Sequence, residues 1–331
     1  MNALFDAEIE LILWLRSNLP GLEAPFTALT FLGNEMFYLV FLPIVYWCLD
    51  RATGARMTLL FLLSVYLNTA VKVIADLPRP FDYAADRVAH LFTMGVDAAR
   101  ELYEAGGNGF PSGHTQNTVT VWGYLAAVVA RLTPPQPRRA LTRPRRLFVG
   151  LAALLIILVP LSRLYLAVHF AHDLIGGYAI GVLLLGAYLC FAPSIETRLS
   201  RRPLFEQLGL AGAVPLAMMV VLPWETAVTA AATLLGMSAG FALERNWVHF
   251  DSAGPWWRRG LRLVMGLAVL LALYVGLSAA FGALDWSHPT APLLRAIRYT
   301  TIGLWGSFGA PWAFVKLGLA RQTDPQTNRE G

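Results

Sequence analysis

Charge is what this sequence has least of. Asp, Glu, Lys and Arg make up 14% of its 331 residues, against about 25% in ordinary soluble domains. Hydrophobic residues reach 56%, and the mean hydropathy is +0.53 over the whole length. Apolar character spread so evenly excludes a soluble domain held by one anchor. Cysteine is nearly absent as well. Cys48 and Cys190 lie in or near apolar runs with no CxxC partner, which excludes a disulfide framework and a zinc site and leaves two small buried hydrophobes. The opening MNALFDAEIELILWLRSNLPG has no basic patch before an apolar stretch, so it is not signal-peptide chemistry. It is acidic and amphipathic, and reads as a helix in the membrane interface with Leu11, Ile12 and Trp14 towards lipid.

What is abundant is long apolar runs. A helix crossing the hydrocarbon needs about 20 apolar residues. Candidate spans lie at 26–47, 57–77, 112–132, 147–166, 170–193, 207–224, 226–244, 261–283 and 293–319. The expected fold is therefore an all-α integral membrane protein, a polytopic bundle of about nine transmembrane helices. A net charge of +5 raises the question of nucleic acid, but the distribution of cations answers it. Alternate loops carry Arg51 and Arg56, then Arg131 to Arg146, then Arg198 to Arg202, then Arg245 to Arg262, and the tail adds Lys316, Arg321 and Arg329. These hold 18 of the 26 Lys and Arg. The positive-inside rule makes that side cytoplasmic and leaves Asp6, Glu8, Glu10 and Glu23 outside. No nucleic-acid partner is implied.

Cations left off the basic side need a reason, because an unpaired charge in lipid is costly. Three of them belong to segments that stand out from the apolar background. The first is Lys72-Val-Ile-Ala-Asp-Leu-Pro-Arg79-Pro80, at the end of the second span, where Pro78 and Pro80 stop the helix. Seven residues are close to two helical turns, so Lys72 and Arg79 fall towards one side. The second is Asn108-Gly-Phe-Pro111-Ser112-Gly113-His114, opening the third span. A Pro-Ser-Gly turn at a helix N-terminus presents free N–H groups and a positive dipole end, suited to an anion. The third is Ser162-Arg163 followed by His169, His172 and Asp173. Asp173 follows His169 by four residues, so on one helical turn its carboxylate can face the imidazole. Taken singly, Lys72 reads as an interfacial lysine, Arg79 as a loop arginine, Ser112 as a helix cap and His169–Asp173 as a structural pair. Together they gather three cations, a helix-terminal anion nest, two histidines and a carboxylate on one side, which is what a tetrahedral dianion requires. No Asp/Glu cluster suited to Mg²⁺ accompanies them, so no metal or cofactor is expected.

The three segments, KxxxxxxRP, PSGH and SRxxxxxHxxxD, are those of the type 2 phosphatidic acid phosphatase family of lipid phosphate phosphatases, which this chain resembles over about 57–193. The segment FLGNEMFYLVFLPIVYWCLD at 31–50, and the further spans after 205, resemble the sphingosine-1-phosphate phosphatase-like branch. The resemblance implies a six-helix phosphatase core in residues 1–205, with extra helices and a short cytoplasmic tail in 206–331. It implies a two-step displacement in which His169 attacks phosphorus, Asp173 orients the ring, and His114 protonates the leaving alkoxide. Lys72, Arg79, Ser112, Gly113 and Arg163 would bind the phosphate. The expected partner is a phosphorylated lipid: a sphingoid-base phosphate, phosphatidic acid or phosphatidylglycerol phosphate. A polyprenyl diphosphate, or transport of a lipid phosphate without hydrolysis, is the alternative. A bacterial inner membrane with the site facing the periplasm is the expected setting.

Elsewhere the expectations are modest. His172 is read as structural, and the stretch 82–107 as an outer cap over the pocket with amphipathic pieces, a solvated loop in preference to a lid. Gly236-xxx-Gly240 suits close helix packing, and Glu244 and Arg245 suit a local pair. Arg295 and Arg298 suit interfacial anchoring or a second anionic group of the substrate. Trp47, Trp224, Trp247, Trp256, Trp257 and Trp286 are read as aromatic belts.

Overall fold

The structure is a computed structural model that describes residues 2–131, 142–282 and 291–323. Those residues are helical almost throughout and form two compact units, Met1–Tyr38 with Leu67–Leu189, and Leu39–Tyr66 with Cys190–Gly331. The helices are α1 (Asn2–Asn18), α2 (Glu23–Phe31), α3 (Glu35–Pro43), α4 (Arg51–Ala75), α5 (Pro80–Tyr83), α6 (Ala85–Val88) and α7 (Val96–Leu102). They continue as α8 (Gly113–Arg131), α9 (Arg143–Tyr165), α10 (Ala171–Ser200), α11 (Leu204–Val221), α12 (Glu225–Leu243), α13 (Trp256–Gly282), α14 (Ala291–Leu304) and α15 (Ala310–Lys316).

Six helical segments are long and apolar enough to cross a membrane: Arg51–Tyr83, Arg143–Tyr165, Ala171–Ser200, Leu204–Val221, Glu225–Val248 and Trp256–Phe281. A pair bent by 47°, Glu23–Phe31 with Glu35–Leu49, makes up to seven. The expected count of nine is therefore not reached among the described residues, for two physical reasons. The helix at the third expected span, α8, carries Thr115, Gln116, Asn117, Thr118 and Thr120, which lowers its hydropathy; all five are buried. The ninth runs through α14, a π-helical turn at Trp305–Gly309 and α15, and its Arg, Lys, Thr, Gly and Trp residues, among them Arg295, Arg298 and Lys316, lower its hydropathy.

In the first unit, α1 buries Phe5, Ile9 and Ile12, the one-sided spacing of an amphipathic helix. Ile12 is thus core and not lipid-facing as expected, while Leu11 and Trp14 are exposed. The stretch 82–107 also departs from expectation. It folds into α5 to α7, and Phe81, Ala84, Val88, Phe92, Ala99, Tyr103 and Ala105 enter the same hydrophobic core as Phe5, Ile9, Leu166 and Phe170. Burying that many apolar side chains stabilises far more than a solvated loop allows, at about 1.5–3 kcal/mol for a fully buried large one.

In the second unit, a side chain on Gly236 would strike the Thr300 carbonyl, and one on Gly240 would strike Ser307. The GxxxG pair therefore lets α12 and α14 approach backbone to backbone. Glu244 and Arg245 do not pair with each other: Arg51 Nη1 bonds Glu244 Oε1 at 2.9 Å and Arg245 Nη2 bonds Glu196 Oε1 at 3.2 Å. Trp47 belongs to the core, its indole N–H donating to the Gly306 carbonyl at 2.9 Å. Trp224, Trp247, Trp256 and Trp257 are exposed, and Trp286 lies outside the described residues. Cys48 is buried as expected, but Cys190 is exposed. Arg295 pairs with Glu225, and Arg298 bonds Ser278 Oγ at 2.8 Å beneath the rings of Tyr274 and Tyr299.

Candidate active site

All eight residues singled out from the three motifs lie in the first unit. Three loops deliver them. Helix α4 ends at Ala75, three residues before Pro78, with Asp76 at a positive φ of 48°. Lys72 therefore sits in the last turn and Arg79 beyond it. Lys72 Nζ donates to the carbonyls of Asn108 (2.6 Å) and Gly109 (3.1 Å), while Asn108 Nδ2 returns a bond to the Lys72 carbonyl at 3.0 Å. The first and second motifs are thereby stitched together. Gly109 is required here, because a Cβ would lie 2.7 Å from the Pro78 carbonyl and 3.1 Å from Asp173 Oδ2.

Arg79 is anchored by three carbonyls, donating from Nε to Gly107 (2.8 Å), from Nη2 to Gly106 (3.0 Å) and from Nη1 to Val168 (2.9 Å). The same Nη1 lies 3.2 Å from Nε2 of His169. His169 is not inside a helix with Asp173, as the four-residue spacing first suggests. It stands on the short connection between α9 and α10, and Asp173 is in the first turn of α10. Asp173 Oδ2 reaches back to His169 Nδ1 at 3.0 Å and also accepts the Phe170 N–H at 2.9 Å. Both side chains are essentially inaccessible, His169 at 1% and Asp173 at 0%. Burial, reinforced by Arg79, Arg163 and Lys72, holds the His169 imidazole well below its usual value of 6.5.

The second motif opens α8. The Ser112 N–H donates to the Asp173 carbonyl at 3.0 Å, and the Ser112 hydroxyl lies 3.4 Å from the Thr115 N–H in the position of a helix cap. Gly113 lies beside Asn68, whose amide donates to the Pro111 carbonyl at 3.3 Å and to Gln116 at 3.0 Å. Next to it His114 places Nε2 2.8 Å from Asn34 Oδ1. Arg163, in the last turn of α9, is 0% exposed and donates from Nη1 to Thr30 Oγ1 at 2.9 Å. Its Nε and Nη2 are buried without a hydrogen-bond partner. A guanidinium so placed is expensive unless an acceptor meets it. Lys72, Arg79 and Arg163 against Asp173 leave two positive charges, which a phosphate dianion matches.

Sequence reasoning missed three contributors. Thr30 and Asn34 lie at the bend between α2 and α3 and hold Arg163 and His114. They stand within or next to the FLGNE segment that carries the second resemblance, which was the available signal. Glu8 of α1 accepts from the His172 backbone N–H at 3.0 Å and lies 2.6 Å from His172 Nδ1. Its only signal was an acidic residue in an otherwise apolar stripe. Among the described residues no three His, Cys, Asp or Glu side chains are grouped as for a metal ion.

Comparison with known proteins follows the same residues. Residues 53–195 match the PAP2 superfamily, and residues 228–322 match the PAP2 superfamily phosphatase transmembrane extension. Lipid phosphate phosphatase delta of Arabidopsis thaliana is 33% identical over 168 residues, covering 51% of this chain and 38% of that protein. Sphingosine-1-phosphate phosphatase 1 of Rattus norvegicus is 28% identical over 236 residues, covering 68% and 48%. Glucose-6-phosphatase 3 of Homo sapiens is 25% identical over 366 aligned positions, covering 98% and 99%. The matches span less than half the length of the plant and rat relatives. With its helices, its clustered motifs and these two matches, the chain belongs to the PAP2 superfamily, as a multi-pass membrane protein with a PAP2 domain followed by that superfamily's transmembrane extension.

Proposed function

We propose that this protein is a membrane lipid phosphate phosphatase that hydrolyses a phosphomonoester through a phosphohistidine on His169, without a metal. The observation that carries the reading is one arrangement: a buried neutral imidazole backed by Asp173, beside the buried Arg163 guanidinium with two unpartnered N–H-bearing nitrogens. Binding alone has no use for a nucleophile held in this way, which argues against a non-hydrolysing transporter.

In the first step His169 Nε2 attacks phosphorus in line. The bond from phosphorus to the lipid oxygen breaks, and His114 protonates the departing alkoxide. In the second step water, deprotonated by His114, attacks the phosphohistidine; the P–N bond breaks and inorganic phosphate leaves. Asp173 holds the Nδ1–H and stabilises the cationic ring that forms. Lys72, Arg79 and Arg163, with Ser112 and the Gly113 N–H at the start of α8, neutralise the phosphoryl oxygens, and such charge stabilisation is the larger part of phosphoryl-transfer catalysis. The chemistry belongs to residues 1–205, and 206–331 is an accessory bundle. The asymmetry of the cations supports a site on the non-cytoplasmic side, in a bacterial inner membrane the periplasmic one.

Membrane residence and relatives named for lipid phosphates favour a lipid monoester. The relative matched over the whole chain is named for a sugar phosphate, which makes a soluble monoester the second reading. Purified protein in detergent, offered phosphatidic acid, a sphingoid-base phosphate, phosphatidylglycerol phosphate, a polyprenyl diphosphate and glucose 6-phosphate, separates them. The expected result is phosphate release from a lipid monoester, unaffected by EDTA. Preference for glucose 6-phosphate, or loss of release in EDTA, overturns the corresponding part of the proposal.

A further inference from the structure

We infer that Glu8 and His172 are positioning residues for the nucleophile, completing a chain of carboxylate–histidine contacts from the N-terminal helix through Asp173 to His169. The inference rests on the phosphohistidine reading and adds two residues to it.

The buried stripe of α1 runs Phe5, Glu8, Ile9, Ile12, so a carboxylate occupies a position where the helix pattern calls for an apolar side chain. Glu8 is 8% exposed. Burying a carboxylate is costly unless it is paired and hydrogen-bonded. Here both its oxygens are used, one by the His172 backbone N–H at 3.0 Å and one by His172 Nδ1 at 2.6 Å. On the far side of the ring, His172 Nε2 lies 3.3 Å from Asp173 Oδ1, an ion-pair contact without hydrogen-bond alignment. Asp173 Oδ2 meets His169. The His172 ring thus faces one carboxylate from each nitrogen.

The ring is fixed in this orientation by stacking. Phe170 lies 5.4 Å away at 16°, Phe5 5.3 Å away at 28° and Phe110 6.0 Å away at 24°. The other charged groups near this junction are engaged elsewhere. Asp6 and Glu10 of α1 pair with Arg87, and Tyr83 bonds Asp6. Arg79 contacts His169, and Lys72 is bound to carbonyls. His172 is therefore fixed behind Asp173, facing one carboxylate oxygen while the other is aimed at the nucleophile. Docking of α1 supplies the carboxylate that keeps His172 there.

The test compares wild-type protein with Glu8→Gln, Glu8→Asp, His172→Gln and the double variant Glu8→Gln/His172→Gln, on whichever substrate the wild type hydrolyses. Glu8→Gln should lower kcat about tenfold, the scale on which outer partners of a working histidine act, with KM within about twofold. Glu8→Asp should restore part of kcat. The double variant should be no slower than His172→Gln alone, since the two residues act in series. An active wild type whose Glu8→Gln variant keeps its kcat, or loses kcat without recovery in Glu8→Asp, even with a lower Tm, overturns the inference and leaves the phosphatase reading intact. A wild type inert on every substrate overturns both.

Discussion

Arg79 Nη1 approaches His169 Nε2 to 3.2 Å, and this contact fixes the tautomer of the ring. A guanidinium has donors and no acceptor, so Nε2 must offer its lone pair. The proton then sits on Nδ1, where Asp173 Oδ2 receives it at 3.0 Å. The free lone pair of the proposed nucleophile is thus held by a residue that also belongs to the proposed phosphate site.

If Nε2 attacks phosphorus, a phosphorylated enzyme must form. Quenching in alkaline detergent during turnover of lipid radiolabelled in its phosphate should trap protein-bound phosphate that is acid-labile and alkali-stable, and His169→Ala should lose it together with about 10³-fold or more of kcat. Turnover by His169→Ala at the wild-type rate would falsify the mechanism.

Asp173→Asn keeps the size of the side chain but lets its amide donate towards Nδ1, favouring the wrong tautomer. A loss of about 10⁴-fold in kcat is expected by the logic of orienting carboxylates, with little change in phosphate affinity. Steady-state kinetics and binding of inorganic phosphate measure the two separately.

The acid side of the pH profile follows from His169. Protonation removes the nucleophile, and burial first, then Arg79, Arg163 and Lys72, disfavours the added charge. The wild-type acid limb of kcat/KM should therefore lie below the usual imidazole value of 6.5. Arg79→Gln removes one opposing charge, so the ring takes its proton more readily and the limb should move to higher pH. Comparing both proteins on one substrate cancels the substrate's own titration.

Asn34 holds one ring nitrogen of His114 at 2.8 Å. Asn34→Leu should lower kcat by about tenfold to a hundredfold if His114 serves as the acid, less than the 10²–10⁴-fold that the whole of such catalysis contributes, since His114 itself remains. The loss should shrink for p-nitrophenyl phosphate, whose leaving group departs without a proton. An equal loss on both substrates would point to a packing role.

Gly240→Val tests the second unit. The added side chain meets Ser307 on the facing segment, and overpacking of this kind costs about 1–3 kcal/mol. Thermal unfolding in detergent should show a lower Tm for Gly240→Val, and a substitution at the exposed Gly276, with open space around it, should not.

Much of the candidate site was legible before any coordinates. Lys72, Arg79, His114, Arg163, His169 and Asp173 stood out because a charged or titratable side chain amid apolar residues has few bland explanations. The helices of the apolar spans were legible for the same reason, since backbone groups in lipid must be satisfied within the segment. Burial was less legible. Ile12 and Trp47 have the composition of lipid-facing residues but are core, because lipid and protein interior are both apolar and sequence alone does not separate them. The stretch 82–107 looked soluble by its acids, yet its apolar residues are spaced to enter one core.

The sequence by itself determined that the chain is helical and membrane-embedded, and which eight residues were candidates for binding and attacking a phosphate. These follow from hydropathy and from the cost of charge in an apolar medium, which act locally. Only the tertiary structure decided which nitrogen of His169 is free, that Thr30 and Asn34 hold Arg163 and His114, and that Glu8 reaches His172. Those facts depend on contacts between residues 80 to 164 positions apart, and no local pattern encodes the direction in which two distant helices bring their side chains together.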